Sequence, residues 1–201
     1  AAIEMTPRNI IRHAVAAGID IVAVTDHNSG DNVAAALRAA AGTGVTVLPG
    51  MEVQTREEVH LLTLFEKMRN FVQWCDYIKA HRSPLQNDER KFGAQFVVDE
   101  TDELVRVEEA MLLASTDLSV QEAAEQAAAL GGMVIAAHVD RPAFSLISQL
   151  GFIPPDVCLN AVEVSRRLEW QSAGQKIPAI GKLPVIASSD AHTIDDFVSG
   201  P

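Results

Sequence analysis

Six short apolar runs, most of them separated by helical patterns, constrain the fold of this chain more than any other feature of its sequence. The runs are rich in β-branched residues, and they cover residues 19–24, 45–48, 59–65, 133–137, 161–164 and 183–187. Apolar strands that alternate with helices are typical of a parallel sheet with helices on both faces. The sequence therefore predicts an α/β fold, with one domain over residues 1–201.

The segments between the runs carry helix signals. Thr6 followed by Pro7 predicts the start of a first helix. Asp31 is expected to cap a second helix, because an aspartate side chain can accept hydrogen bonds from the first free backbone N–H groups. Ser119 and Glu122 have the spacing of a capping box, which predicts a helix directly before the fourth run.

Residues 66–132 form a long excursion between the third and fourth runs. Residues 66–81 repeat apolar side chains at a helical period, and residues 82–93 are polar and predict a loop. Residues 94–107 place two apolar stretches around an acidic turn. This last pattern predicts either a hairpin or a switch into helix.

Composition narrows the class of protein. The chain has 16 basic and 27 acidic side chains, a formal net charge of −11 and 48% hydrophobic residues, which is a globular composition. No signal peptide or membrane-spanning run is visible, and two distant cysteines fit a reducing compartment better than a secreted domain. We therefore expect a cytoplasmic protein without a membrane partner, and the sequence leaves its oligomeric state open. Because an acidic chain repels polyphosphate, we also expect no long duplex nucleic acid as a partner.

Imidazole and carboxylate side chains gather at the ends of the apolar runs. The residues that follow a run are Asp26, His27, Glu52, His138, Asp190 and His192, and His60 lies within the third run. In a closed α/β barrel, the carboxyl ends of the strands meet at one mouth, where catalytic residues gather. A single histidine is more often structural than functional, but several separate strands that deliver such groups together favour a functional site.

These residue types suit divalent metal ions. Imidazole and carboxylate ligands are typical of zinc, manganese and iron sites, with magnesium also possible, and two such ions can activate water and offset the charge of a phosphoryl group. Other chemistries have little support: Ser188 and Ser189 lack the frame of a nucleophile elbow, and the sequence has no glycine-rich nucleotide-binding motif.

Five motifs resemble, in order and approximate spacing, those of the polymerase and histidinol phosphatase (PHP) superfamily of metal-dependent phosphoesterases. They are Thr25-Asp26-His27-Asn28, Gly50-Met51-Glu52, Glu58-Val59-His60-Leu61, Ala137-His138 and Ser189-Asp190-Ala191-His192. The resemblance implies a distorted (β/α)7 barrel of TIM type with two or three divalent ions at its mouth. The metal ligands it implies are His27, Glu52, His60, His138, Asp190 and His192, with Glu52 as a bridge between ions and Asp26 orienting an imidazole.

The sequence departs from the family pattern at its start. The family opens with a strand that ends in a His-x-His motif, and no such motif is present here. A seven-stranded barrel would therefore need one more strand before Ala1, and we expect the natural chain to be longer.

The expected activity is hydrolysis of a small phosphorylated substrate, such as a phosphomonoester, a nucleotide or a short oligonucleotide. Asp26 and Arg141 are the candidate catalytic residues, and Asn28, Arg141 and Arg166 are the candidates for binding the substrate. Two alternatives stay open. One is an amidohydrolase-like enzyme, against which the absence of lysine at the strand ends counts. The other is a PHP domain with a regulatory or structural role and no catalysis.

Overall fold

A computed structural model of the chain describes residues 3–199. The strands are β1 Ile21–Val24, β2 Thr46–Gln54, β3 His60–Leu64, β4 Phe96–Val98, β5 Leu104–Val107, β6 Met133–Ala136, β7 Ala161–Val164 and β8 Val185–Ala187. The α-helices are α1 Pro7–Ala17, α2 Val33–Ala39, α3 Met68–His81, α4 Glu89–Phe92, α5 Val120–Ala129, α6 Leu146–Leu150, α7 Ala173–Lys176 and α8 Ile194–Val198. Two short 3₁₀ helices cover Trp170–Ser172 and Pro178–Ile180.

Six strands pair into one curled, half-barrel sheet in the order β1-β2-β3-β6-β7-β8. These strands are the six predicted apolar runs, so the α/β class is confirmed. The pairs β1–β2, β6–β7 and β7–β8 are parallel. Strands β1 and β8 form the two edges, and the seventh strand that the family resemblance implies is not among residues 3–199.

Strand β3 departs from the parallel pairing expected for this class. It runs antiparallel to both of its neighbours, β2 and β6. The physical reason is the short connection 55–59, because a parallel crossover needs about a dozen residues or more. Strand β2 is also longer than its apolar run, so Glu52 lies within the strand rather than past its end.

The excursion contains helix α3, helix α4 and the antiparallel hairpin β4–β5. The hairpin is one of the two structures expected for residues 94–107, whereas α4 occupies part of the predicted loop. The Ser119–Glu122 capping box is present at the start of α5. Asp31 does not cap α2: Asn32 holds that position, and the Asp31 carboxylate accepts from Ser29 and pairs with Arg106 instead.

The core lies between the helices and the sheet. Its largest fully buried side chains include Trp74 and Phe71 of α3, together with Met51 and Leu61 of the sheet. The Trp74 indole Nε1 donates to Thr63 Oγ1 at 2.8 Å, which satisfies a buried polar group and joins α3 to β3. Within residues 3–199, no helix is long and apolar enough to cross a membrane.

Candidate metal centre

Four of the predicted ligands meet at one end of the sheet. Glu52 Oε1 lies 3.0 Å from His60 Nδ1 and 3.3 Å from His138 Nε2. The other carboxylate oxygen, Oε2, lies 3.3 Å from His27 Nδ1. One carboxylate therefore stands among three imidazoles, and we call His27, Glu52, His60 and His138 the inner cluster.

The direction of β3 explains how His60 joins this cluster. The carboxyl ends of the parallel strands β1 and β6 lead into His27 and His138. Because β3 runs the opposite way, its first residue, His60, lies at the same edge of the sheet. An isolated parallel bridge between His27 and Glu52 extends the β1–β2 pairing into the site.

Burial and charge set the protonation of the inner cluster. Burial alone would raise the pKa of Glu52, but hydrogen bonds to His138 and His60, together with nearby His27, hold the pKa of this carboxyl well below its usual range. Burial lowers the pKa of His27 more than the charge of Glu52 raises it. At neutral pH the cluster thus offers a carboxylate and a neutral His27 imidazole, which are the protonation states that bind metals.

The inner cluster fits a divalent ion. One donor atom each from His27, Glu52 and His60 can be chosen so that all three lie within 4.8 Å of one another. Among the described residues, the buried Nδ1 atom of His138 has no hydrogen-bond partner, and the Nδ1 atom of His27 makes no directed hydrogen bond although Glu52 Oε2 lies 3.3 Å away. Buried ring nitrogens without a partner are costly, and a set of imidazole nitrogens and carboxylate oxygens suits zinc, manganese or iron.

Asp190 and His192 lie beside the inner cluster rather than inside it. The His192 ring is 6.3 Å from the His27 ring, measured between centroids, and its side chain is 51% exposed. Asp190 Oδ2 lies 2.6 Å from the Arg141 guanidinium. Both residues follow β8 and border a cavity of about 170 Å³.

Arginine side chains line the same cavity. Arg141, Arg166 and Arg167 border it together with Ser165 and Ser189. Arg166 also forms an ion pair with Asp196, which likewise lines the cavity. We call Arg141, Arg166, Asp190 and His192 the outer rim. The cavity thus places guanidinium groups beside two of the predicted metal ligands.

Asp26 and Asn28 make their side-chain contacts elsewhere. The Asp26 carboxylate accepts a hydrogen bond from Asn32 Nδ2 at 3.2 Å, and burial raises the pKa of Asp26 despite that bond. The Asn28 amide nitrogen donates to the carbonyls of Leu112 and Ala114, and its oxygen accepts from the backbone N–H of Gln54. Because these bonds engage the whole amide of a buried side chain, we do not retain Asn28 as a substrate-binding residue.

Glu163 is a residue of the site that the sequence prediction missed. It lies within β7 and is 1% exposed, and among the described residues its Oε1 has no hydrogen-bond partner. Burial raises its pKa to about 7, although Ser188 and His138 act in the opposite direction. The available signal was an acid inside the apolar run 161–164, since a buried carboxylate is costly without a partner or a role.

Strained backbone also concentrates at this mouth. Asn28, His138, Phe144 and Asp190 are non-glycine residues with positive φ angles of 46°, 31°, 57° and 42°. Such conformations cost free energy, and they cluster at functional sites in proteins. The Phe144 ring stacks on the His60 imidazole with centroids 4.9 Å apart, so one of these strained residues packs directly against the inner cluster.

Comparison with known proteins identifies the family. A family model described as the PHP domain matches residues 4–146. No sequence among the curated proteins matches the chain.

Solved structures share the fold at low sequence identity. The lesion-specific endonuclease EndoQ from Pyrococcus furiosus superposes with a TM-score of 0.69 at 18% identity, over 96% of this chain and 45% of that chain. A candidate metal-dependent phosphoesterase from Bifidobacterium adolescentis gives 0.63 at 19% identity, over 94% and 82% of the two chains. An amidohydrolase from Chromobacterium violaceum gives 0.66 at 18%, over 98% and 86%. The chain thus spans less than half the length of the endonuclease.

The expectation that long duplex nucleic acid is excluded as a partner is wrong. Endonuclease Q has been solved in complex with a 27-mer duplex substrate that carries an abasic lesion, and that structure has a TM-score of 0.68 to this chain at 17% identity, over 96% of this chain and 46% of that one. Net charge averages over the whole surface, whereas binding depends on the local field at the site. A net charge of −11 therefore does not exclude duplex DNA.

Proposed function

The chain belongs to the PHP domain family, and on that basis we propose that it is a metal-dependent phosphoesterase. The observation that carries this proposal is the inner cluster, in which the Glu52 carboxylate lies within 3.3 Å of ring nitrogens from His27, His60 and His138. The proposed ligands to the ions are His27, Glu52, His60, His138, Asp190 and His192.

Each part of the site has a role in this proposal. A divalent ion supplies a Lewis acid that offsets charge on a phosphoryl group and makes water nucleophilic at neutral pH. The ionised Glu52 and the neutral His27 would hold that ion at the buried end of the mouth. Arg141, beside Asp190, would bind a phosphoryl oxygen pair through its planar fork, and Arg166, which lines the same cavity, would bind the rest of the ester.

Two of the fold neighbours support phosphoric esters as the substrate class. One is an endonuclease and the other a candidate phosphoesterase, and both names imply cleavage of such esters. Within this class we include phosphomonoesters, nucleotides and short oligonucleotides. The amidohydrolase among the neighbours keeps hydrolysis of C–N bonds as a second candidate.

The same proposal includes closure of the barrel. A seventh strand between the edges β1 and β8 would complete a distorted (β/α)7 barrel. Ile21 on β1 and Ile186 on β8 are 60% and 37% exposed, and a strand in that position would cover apolar surface at both edges.

The decisive experiment is an activity panel on the metal-loaded protein. We expect the protein with Mn²⁺ or Zn²⁺ to hydrolyse a phosphomonoester, a phosphodiester or an abasic DNA duplex, and EDTA to abolish that activity. His192→Ala should weaken metal affinity by at least about tenfold, measured by isothermal titration calorimetry. His13→Ala on helix α1 is the matched control and should leave both properties unchanged.

The panel also separates the alternatives. Failure to hydrolyse any phosphoric ester, combined with unchanged metal binding in His192→Ala, would refute the proposal. Cleavage of amide substrates alone would favour the hypothesis of an amidohydrolase-like enzyme. Metal binding without hydrolysis of either class would favour a regulatory or structural domain.

A further inference from the structure

We infer that Gln54 is a positioning residue that presents His60 to the metal centre through its Nδ1 atom. The inference rests on the proposed metal centre, and it adds which ring nitrogen His60 offers and which side chain sets that choice. Gln54 is not among the proposed ligands, and its side chain contacts His60 at the ring nitrogen opposite the carboxylate.

The register of the sheet brings the two residues together. Gln54 ends β2 and lies directly opposite His60 in the antiparallel pairing of β2 with β3. Because side chains alternate along a strand, Gln54 shares a face of β2 with Glu52. Gln54 Oε1 lies 3.2 Å from His60 Nε2, and Glu52 Oε1 lies 3.0 Å from His60 Nδ1. The imidazole is therefore held between an amide oxygen and a carboxylate.

The remaining polar atoms of Gln54 are also engaged, so the side chain has little freedom. Its Nε2 donates to Ser115 Oγ at 3.0 Å, and its backbone N–H donates to Asn28 Oδ1 at 3.0 Å. Its carbonyl accepts from both the backbone N–H and the hydroxyl of Thr116 at 2.9 Å. Gln54 is 6% exposed. Four contacts thus fix a buried residue between the loop that carries His27 and the end of the excursion.

The contact with Gln54 offers an acceptor for the Nε2–H group that His60 keeps when its Nδ1 atom binds a metal. A neutral imidazole has one N–H donor and one lone pair, and the hydrogen bond made by one nitrogen determines which nitrogen is free to bind a metal. In the metal-free protein, Glu52 Oε1 accepts a hydrogen bond from Nδ1 at 3.0 Å. A metal at the inner cluster would take the place of that Nδ1 proton, and the ring would then keep its proton on Nε2 and donate to Gln54 Oε1. The Nδ1 atom also lies 3.2 Å from His138 Nε2.

Phe144 fixes the remaining freedom of the ring. Its side chain stacks on the imidazole at an interplanar angle of 15°, and its carbonyl accepts the backbone N–H of His60 at 2.9 Å. Phe144 limits rotation of the imidazole ring, and Gln54 holds the ring at its Nε2 atom. Together they direct His60 Nδ1 into the inner cluster.

The first measurement locates the ring proton of His60 in the Zn²⁺-loaded protein, without any substrate. At neutral pH, long-range ¹⁵N–¹H NMR spectra of the histidine rings should show the His60 proton on Nε2. In Gln54→Met, which keeps a similar length but removes the acceptor, this Nε2–H group should exchange with solvent faster. Gln54→Glu restores an acceptor at the same place and should restore the slow exchange.

The second measurement is metal affinity, by titration of Mn²⁺ or Zn²⁺ into the folded variants. Gln54→Met should bind metal about 10–100-fold more weakly than the native protein, as loss of a partner behind a ligand does in other metal sites. Gln54→Glu should recover most of this affinity. Ser115→Ala is the matched control, because it removes the other side-chain bond of Gln54 and leaves the bond to His60 in place.

Two results would overturn the inference. One is a His60 proton on Nδ1 in the Zn²⁺-loaded native protein, which would mean that His60 binds the metal through Nε2. The other is equal loss of metal affinity in Ser115→Ala and Gln54→Met, because that pattern would mean that Gln54 only stabilises the fold. Since neither measurement uses a substrate, both decide this inference even if the protein hydrolyses no phosphoric ester.

Discussion

The inner cluster and the outer rim belong to one mouth, but they are built from different parts of the fold. The inner cluster is built on strands β2 and β3 and on the residues that follow β1 and β6, and the exposed fractions of its Glu52 and His138 side chains are 7% and 2%. The outer rim lies in connections after β6, β7 and β8, and its Arg141 and His192 side chains are 42% and 51% exposed. One region is fixed by strand register, and the other is open to solvent.

This difference in burial indicates different functions for the two regions. Charges in a buried site interact strongly, because water does not screen them, and they must be compensated by a partner. The inner cluster therefore suits a tightly held cation. The guanidinium groups of Arg141 and Arg166 are open to solvent, which weakens their pairs with Asp190 and Asp196, so a phosphoryl group can compete with those partners. We accordingly expect variants of the inner cluster to lose metal, and variants of the two outer-rim arginines, Arg141 and Arg166, to lose substrate.

The largest effect should follow from Glu52→Gln. This change keeps the shape of the side chain but removes the negative charge that lies among three imidazoles. We expect kcat/KM to fall by about 1000-fold, equivalent to about 4 kcal/mol, with a parallel loss of metal affinity. Steady-state kinetics and calorimetric metal titration measure the two quantities.

Glu66→Gln is the control for this change, because Glu66 is exposed and lies between β3 and α3. It should retain native kinetics and native metal affinity. If Glu52→Gln kept metal affinity within tenfold of the native value, the inner cluster would not be the principal cation site, and the contrast between the two regions would fail.

An intermediate effect is expected at Glu163, whose buried carboxyl is influenced by His138 of the inner cluster and by Asp190 of the outer rim. Its pKa is raised to about 7 in the folded protein, so folding favours its protonated form. The stability that this group contributes is fully present below its unfolded pKa, near 4.5, and is lost as the pH rises through about 7. Metal-free Glu163→Gln should match the native protein near pH 4.5 and be more stable at pH 8 by up to about 3 kcal/mol.

Urea unfolding in EDTA at the two pH values measures this difference. The gain at pH 8 should shrink when metal is present, because a bound cation stabilises the carboxylate. A Glu163→Gln variant that is destabilised at pH 8 in EDTA would show that the native carboxylate is well compensated. Glu163 would then belong with the paired groups of the inner cluster.

The sequence predicted the strands well, because strands depend on local pattern, and the same pattern pointed to the candidate ligands. An apolar run followed by His27 or by Asp190 is visible without any knowledge of packing. The direction of β3 was missed, although the short connection 55–59 carried the information. That direction is what brings His60 to the mouth, so an error of topology changes the explanation of the site without changing the residue chosen.

The remaining differences come from contacts between distant segments. Asn28 was a substrate-binding candidate within the motif Thr25-Asp26-His27-Asn28, but its amide donates to the carbonyls of Leu112 and Ala114 at the end of the excursion. Glu163 resembled an isolated acid in a strand, and only the fold places it near His138. Residues far apart in the chain surround Asn28 and Glu163. Neither the period of apolar residues nor the spacing of motifs predicts such long-range contacts.

The smallest effect, and the sharpest test of the division, is expected for Arg141→Lys in the outer rim. Lysine retains the positive charge but lacks the planar fork that binds two oxygens at once. We expect kcat/KM to fall by about 10–30-fold, equivalent to about 2 kcal/mol, mainly through a higher KM. Metal affinity should stay close to the native value, because the charge beside Asp190 is unchanged.

Arg69→Lys on the exposed side of α3 is the matched control and should leave both kinetic constants unchanged. The comparison of the two lysine variants separates the fork geometry of Arg141 from a general effect of exchanging arginine. If Arg141→Lys lost metal as severely as Glu52→Gln, Arg141 would be needed for cation binding through its pair with Asp190, a proposed ligand. The division between metal binding by the inner cluster and substrate binding by the outer-rim arginines would then fail.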